Sequence, residues 1–401
     1  MSTAEICEKL KAFKPQVETT IEQLNDLDKV SLSVLKTFIS DTTLMKSKHS
    51  FMKIQAVLDY MHEQINIGNW KDVRLFLRKT ITIASYLKVL AILVQQSDLT
   101  DSVIKEVYGA IDFGIMFGCP ISSEPELLQK CGSILTSVTS QNCTYETDNK
   151  IDSQIECVHI EKPSGVIDID VITCPSMEYF YKNVILQKRP VILENCIDHW
   201  PALSKWKDSN YFIKLAGLRT VPIEIGREYT DPDWTQKLIL MKDFIKTYIY
   251  QDNGPKGYLA QYALFEQIPE LKKDIIEPEY CSFSETDEPV NVMAWFGPKG
   301  TVSPLHHDPT KNLLTQVVGE KRIYLFSPSD SEYLYPHESD LLDNTARVDP
   351  RNPKLGEFPN YTSAKPYYCV LKPGQMLYIP PKWWHFVESL SISFSVSFWW
   401  T

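Results

Sequence analysis

The chain changes its hydrophobic rhythm partway along, and no single fold class accommodates both parts. Over residues 1–136 apolar side chains recur at helical spacing. Phe51, Ile54, Val57, Leu58, Met61 and Ile65 make one stripe, which Val73, Phe76 and Leu77 continue. Ile81 to Val94 read as a buried helix, too short and too interrupted by Lys88 to span a bilayer. Val103, Ile104, Val107, Tyr108 and Ile111 mark a further helix, with Asp101 as its N-cap. Of the 25 prolines only Pro15 comes before Pro120, as uninterrupted helices require.

Residues 137–165 are polar and lose the periodicity, which makes them a linker. From 166 to 401 proline, tryptophan and tyrosine become frequent. Short apolar runs lie between turn signals: Val184 to Leu186, Pro190 to Leu193, Val221 to Ile225, Val292 to Phe296, Leu313 to Val318, Ile323 to Phe326, Met376 to Ile379 and Ile392 to Trp399. Such runs predict an all-β sandwich or barrel, flanked by helical stretches at Met177 to Leu186 and Met241 to Tyr250. In the last run Phe394, Val396 and Phe398 alternate with Ser393, Ser395 and Ser397. One strand face is therefore apolar and the other lined by hydroxyls. The fold class is α+β, with an all-α N-terminal domain before a β-rich one.

Charge narrows the function. The net charge is −10 and the pI about 5.4, which disfavours direct nucleic-acid binding through a basic surface and suits a cationic protein or peptide substrate. The N-terminal residues are polar and amphipathic, so no secretion signal and no membrane partner are expected. Nine scattered cysteines without a C-x-x-C pair suggest free thiols in a reducing compartment.

Three residues carry the chemistry. His306 and Asp308 stand two apart in Ser303-Pro304-Leu305-His306-His307-Asp308-Pro309. On a strand they share a face, while His307 points away. His385 follows in Pro380-Pro381-Lys382-Trp383-Trp384-His385. Two imidazoles and one carboxylate on one side of a metal, with the other side open, are the ligand set of non-haem Fe(II) oxygenases. Lys321, after Gly319-Glu320, could supply a fixed cation for a distal carboxylate, and Tyr258, Ser303 and Asn312 offer polar groups for the same acid. Each fragment also has a plainer reading, as a packed histidine or a satisfied surface charge.

Taken together, Val292-Met293-Ala294-Trp295-Phe296-Gly297-Pro298, the 303–309 run, Tyr378-Ile379-Pro380-Pro381-Lys382-Trp383-Trp384-His385 and Ser395-Val396-Ser397-Phe398-Trp399-Trp400 resemble the jumonji-C (JmjC) family. The resemblance covers residues 165–401. It implies a double-stranded β-helix, the jelly-roll or cupin-like barrel, over 166–401. It implies Fe(II) on His306, Asp308 and His385, with O2 as oxidant. It implies the cosubstrate 2-oxoglutarate on Lys321, helped by Tyr258, Ser303 and Asn312. Glu224, Trp234, Gln261 and Trp295 match positions lining the substrate side of the pocket in that family.

The activity so implied is a 2-oxoglutarate-dependent dioxygenase that hydroxylates arginyl side chains of basic proteins, whether histone, ribosomal or chromatin-associated. Methyl-lysine demethylation on histone H3 and histone-tail processing are the alternatives within the family. A barrel that binds a partner without chemistry, and a cupin enzyme needing no 2-oxoglutarate, are rivals from other classes. The resemblance also implies residence in the nucleus, with the cytoplasm as a second compartment and no secretion. The partner of the helical region is left open.

Overall fold

The computed structural model describes residues 2–139, 161–250, 254–339 and 342–401. The chain divides into two compact units. Among the described residues no helix is long and apolar enough to cross a membrane.

The first unit contains α1 (Thr3–Lys11), α2 (Lys14–Glu22), α3 (Lys29–Ser40), α4 (Lys48–Ile65), α5 (Leu75–Gln95), α6 (Asp101–Phe117) and α7 (Leu127–Thr139). Helix α5 is buried almost all round from Thr80 to Leu93, as befits a central helix. Its neighbour α6 approaches closely at Gly114, where an added Cβ would sit 2.6 Å from Ser85 Cβ. Two details differ from the sequence reading. The α4 stripe ends at Ile65 instead of running into Val73, because Asn66 caps the helix and Gly68 takes a φ of +82°. Thr100, not Asp101, is the N-cap of α6; its hydroxyl accepts from Val103 N–H.

Helix α7 also continues through Ser137-Val138-Thr139, residues that the sequence assigned to the linker. Ser137 and Thr139 donate their hydroxyls back to the carbonyls of Ile134 and Leu135, so their polarity is met inside the helix. Most of the linker, residues 140–160, lies outside the described residues.

Two segments from later in the chain, residues 214–220 and 266–270, belong to this helical unit. They bring Arg219 to Asp112, both essentially unexposed at 1% and 0%. Arg219 Nη2 donates to Asp112 Oδ1 at 2.6 Å and its Nε to the same oxygen at 2.8 Å. Thr220 N–H donates to Asp112 Oδ2 at 2.7 Å and Gln267 Nε2 to Oδ1 at 2.7 Å. The guanidinium also lies 5.2 Å from the Tyr108 ring centroid.

The second unit is β-rich. Its strands are β1 (Ile167–Asp168), β2 (Val171–Thr173), β3 (Val191–Glu194), β4 (Thr220–Ile225), β5 (Thr235–Leu240), β6 (Gly257–Tyr262), β7 (Asn291–Gly297), β8 (Val302–His307), β9 (Lys311–Val318), β10 (Lys321–Phe326), β11 (Tyr367–Leu371), β12 (Met376–Ile379), β13 (Trp384–Ser389) and β14 (Ser393–Trp400). One sheet runs β1-β11-β10-β13-β8 and the other β2-β3-β12-β9-β14-β7-β6-β4-β5. Ile323, Leu325 and Val387 of the first pack with Leu314, Leu377 and Ile379 of the second. This is the two-sheet, mainly antiparallel cupin-like barrel expected from the sequence.

The run Val184 to Leu186 is not a strand; it falls in the helical stretch expected over Met177 to Leu186. Ser176 caps a helical turn at Met177–Phe180, and Tyr181–Ile185 continue it with wider π-type bonding. The hydroxyl face of β14 does not meet water. Ser395 donates to Gln316 Oε1 at 2.6 Å, and Ser397 accepts from Trp295 Nε1 at 2.9 Å. The barrel interior therefore has a polar side.

Removing one partner of a fully buried ion pair strands the other charge, at a cost of about 3–5 kcal/mol. Asp112→Ala should lower the stability of the helical unit by that amount in urea unfolding. An Asp112→Leu, Arg219→Met double variant should recover most of it.

Candidate metal centre

Antiparallel pairing of β8 with β13 sets His306 directly opposite His385. Residues so opposed point to the same face, and the two imidazole centroids are 4.2 Å apart. Asp308 follows the end of β8. Its carbonyl accepts from Lys382 N–H at 2.8 Å, which ties it to the Pro380-Pro381-Lys382 turn. Candidate ligand atoms of His306, Asp308 and His385 all lie within 4.8 Å of one another.

The hydrogen bonds around the triad decide what it can hold. His306 Nδ1 donates to the Pro304 carbonyl at 2.7 Å, and His385 Nδ1 to the Trp383 carbonyl at 3.0 Å. A carbonyl oxygen only accepts, so each Nδ1 carries the proton and each Nε2 keeps its lone pair. His385 Nε2 lies 3.7 Å from Asp308 Oδ2, a buried oxygen without a hydrogen-bond partner. Burial, reinforced by the neighbouring His306, pushes the His385 imidazolium down to about 4, so the ring is neutral at pH 7. A lone pair facing an unpartnered carboxylate oxygen is unfavourable without a cation between them. Two nitrogens and one oxygen suit a divalent transition metal.

His307 is turned away from the triad. Its ring packs edge-on against Trp384 at 4.6 Å, and burial lowers its basicity.

One narrow pocket brings His306 and His385 together with Tyr258, Ser303, Asn312, Lys321 and Trp295. Strand β10 carries Lys321 on the same face as Leu325, which pairs with His385. Lys321 is 1% exposed. Among the described residues its one hydrogen-bond partner is the Tyr258 hydroxyl at 3.1 Å. With no carboxylate beside it, burial brings its ammonium down to about 7. Burial pushes the Tyr258 phenol upward, so it stays protonated. Asn312 Oδ1 is buried without a partner. A pocket with a buried, unmatched cation and an unmatched amide oxygen fits a small anionic ligand with several oxygen atoms.

The other expected residues are distributed around this pocket. Trp295 is in its wall, fixed by its bond to Ser397. Glu224 lies opposite Tyr258 across the β4–β6 pair and accepts from Trp234 Nε1 at 3.3 Å. Burial pushes its carboxyl up. Glu224 and Trp234 are a pair of their own and do not line the metal pocket. Gln261 lines an adjoining pocket that includes Asp308 and Trp399.

Sequence reasoning missed Trp399 and Tyr229. Trp399 borders both pockets, and its buried Nε1 has no partner. The β14 alternation could have revealed it, since residue 399 shares a face with Ser393, Ser395 and Ser397. Tyr229 shares a hydrogen bond of 3.2 Å with Thr345 Oγ1 and feels the charges of both Asp308 and Glu224. Thr345 in turn bridges to His306 through the backbone. Nothing local to Tyr229 in the sequence announces this.

Comparisons with known proteins agree with the geometry. Residues 177–401 match the family described as the Cupin-like domain. The chain is 40% identical over 387 residues to "Lysine-specific demethylase 8" of Danio rerio, covering 93% of this chain and 94% of the relative. It is 39% identical over 365 residues to "Jumonji C domain-containing protein 5" of Drosophila melanogaster, covering 86% of each. It is 26% identical over 258 residues to "Bifunctional peptidase and (3S)-lysyl hydroxylase JMJD7" of Homo sapiens, covering 56% of this chain and 81% of the relative.

If the triad holds the metal, Asp308→Ala removes a ligand outright. Affinity for Mn(II), measured by titration calorimetry, should fall by more than the roughly 10–100-fold that loss of an outer-shell partner costs. His307→Ala should leave it within a few-fold.

Proposed function

Because the chain belongs to the cupin-like JmjC family of 2-oxoglutarate-dependent dioxygenases, we propose that it is a protein hydroxylase acting on arginyl side chains of basic proteins. The observation that carries the oxygenase reading is a pocket shared by the two triad histidines and a buried lysine that has no anionic partner, with Asp308 within 4.8 Å of both imidazoles. His306, Asp308 and His385 would hold Fe(II), and Lys321 would hold the far carboxylate of 2-oxoglutarate. Bound together, metal and cosubstrate would supply the activated oxygen that hydroxylates a C–H bond.

The protein's own residues do the rest. Lys321 donates a charge-assisted hydrogen bond, stronger than a neutral one, and Tyr258 keeps its ammonium oriented. Asn312 and Ser303 offer further polar atoms to the same ligand. The apolar walls at Leu314, Ile379 and Val387 limit water around it. Trp295, locked by Ser397, walls this chamber beside Tyr258, with the two ring centroids 6.0 Å apart.

Glu224 favours arginine as target. It is a half-buried carboxylate with no cationic partner among the described residues, and a guanidinium can meet it with parallel hydrogen bonds. Trp234, held by that carboxylate, offers an aromatic face for the same cation. The net charge of −10 suits a basic partner. Nuclear, chromatin-associated substrates belong to this proposal.

A second reading is methyl-lysine demethylation, favoured by the name of the Danio rerio relative. The two separate on product. Arginyl hydroxylation leaves one added oxygen atom on the peptide, whereas demethylation releases formaldehyde and shortens the lysine by a methyl group. Mass spectrometry of basic peptides incubated with protein, Fe(II) and 2-oxoglutarate should show the oxygen retained on arginine. Formaldehyde with demethylated lysine would overturn the arginyl assignment. A protein that never converts 2-oxoglutarate to succinate would overturn the enzyme reading.

Two further outcomes follow from the charges. Lys321→Met should raise the KM for 2-oxoglutarate by about 30-fold or more, the equivalent of the 2 kcal/mol or more lost when one partner of a buried charged pair is removed. Anion binding raises the basicity of Lys321, so above about pH 7 binding must take up a proton. Affinity for 2-oxoglutarate should therefore weaken as pH rises from there, by up to about tenfold per unit. Calorimetry in buffers of different ionisation enthalpy reads that proton directly.

A further inference from the structure

The sequence treats the cysteines as unrelated thiols, and the seven among the described residues are unbonded. Two of them are nevertheless placed together. Strands β2 and β3 run parallel at the edge of the larger sheet, with Thr173 opposite Glu194. Immediately beyond, both chains turn: Cys174 has a φ of +34° and Asn195 of +59°. These left-handed conformations are uncommon for residues other than glycine. Cys174 N–H still donates to the Glu194 carbonyl at 2.9 Å, which holds the two turns side by side.

The result sets the two cysteines side by side, Cys196 two residues beyond the carbonyl that Cys174 N–H engages, with the Tyr280 hydroxyl 3.9 Å from Cys196 Sγ. Tyr280 donates to the Pro175 carbonyl at 2.7 Å, fixing the turn that carries Cys174. Its ring packs at a tilt against buried Phe180, centroids 4.5 Å apart, so the anchor is part of the core. Cys174 is exposed and Cys196 only partly so.

We propose that Cys174 and Cys196 are a redox modification site that closes to a reversible disulfide when a peroxide oxidises the protein. Exposed Cys174 reacts first. Its sulfur attacks the peroxide, the O–O bond breaks, and a sulfenic acid and one water form. Cys196 then attacks that sulfur: an S–S bond forms, the S–O bond breaks, and the hydroxyl leaves as a second water with the Cys196 proton. Two thiols lose two electrons and two protons, and the peroxide gains them. Burial keeps Cys196 a thiol at neutral pH, pushed up to about 11, which suits it to the resolving role. Cys7, Cys131, Cys281 and Cys369 are buried, so a peroxide reaches them last.

The test uses the full chain, reduced, freed of reductant and titrated with hydrogen peroxide. Remaining thiols are then blocked with N-ethylmaleimide and the protein digested for mass spectrometry. The expected product is a Cys174–Cys196 linked peptide pair, lighter by two hydrogens than its separated parts and lost on treatment with dithiothreitol. Cys174→Ser and Cys196→Ser should each abolish it while leaving succinate production unchanged. Diamide on the unaltered protein should give the same pair, an outcome independent of how the variants fold. Cys174 advancing to a sulfinic acid while Cys196 is still blocked by maleimide would overturn the proposal. So would Cys174 linking to a different cysteine.

Discussion

The register between β8 and β13 is the constraint on which the site depends. Antiparallel pairing sets His306 across from His385, and a slip of one residue would turn one of the two rings to the face opposite the other. Trp384 or His307 would then take its place, and neither pairs its ring nitrogen with a carbonyl as His306 and His385 do. The register is secured from both sides. Outside, Leu305, Trp384 and Phe386 belong to one apolar cluster. Inside, each imidazole is fixed through Nδ1 to a carbonyl two residues back. Packing energy thus specifies the orientation of groups that contribute little packing themselves.

The pocket beside the triad inverts the usual economy of a core. Lys321 is among the largest side chains that are fully buried. Asn312 Oδ1, Asp308 Oδ2 and Trp399 Nε1 are buried without partners. Each costs stability in the ligand-free protein, because a polar atom taken from water and left unmatched loses its hydration for nothing. Elsewhere in the barrel interior Gln316 is matched: it donates to the carbonyls of Val318 and Gly319 and accepts from Ser395. The unmatched atoms of Asp308, Asn312 and Trp399 lie where a ligand would be recognised.

Much of this was legible beforehand. Spacing of two led the sequence reading to His306 and Asp308, whose ligand atoms lie close together although Asp308 falls just past the strand. Apolar runs marked seven of the fourteen strands among the described residues, since strand period and turn residues are local signals. Trp399 could have been read from the β14 alternation, but two others escaped for a common reason. Tyr229 acts through a neighbour from elsewhere in the sequence, and the charge of Arg219 has meaning only once Asp112, 107 residues earlier, is seen beside it. Val184 to Leu186 fell both among the short apolar runs and within the helical stretch Met177 to Leu186, and the structure follows the helical reading from the Ser176 cap onward. The roles of Glu224, Trp234 and Gln261 came from family resemblance alone; local pattern gives no reason to pair a glutamate with a tryptophan ten residues on.

The membership of residues 214–220 and 266–270 in the helical unit bears on how the chain comes off the ribosome. Nascent domains ordinarily fold from the N-terminus as they emerge. Here α6 emerges with Asp112 destined for the interior, while its counter-ion Arg219 is more than a hundred residues from being made, and Gln267 later still. Until then the carboxylate must stay hydrated and that part of the helical unit unfinished. Completion of the N-terminal half therefore waits on translation well into the oxygenase half, so the two are coupled in time during synthesis although their sequences look separable.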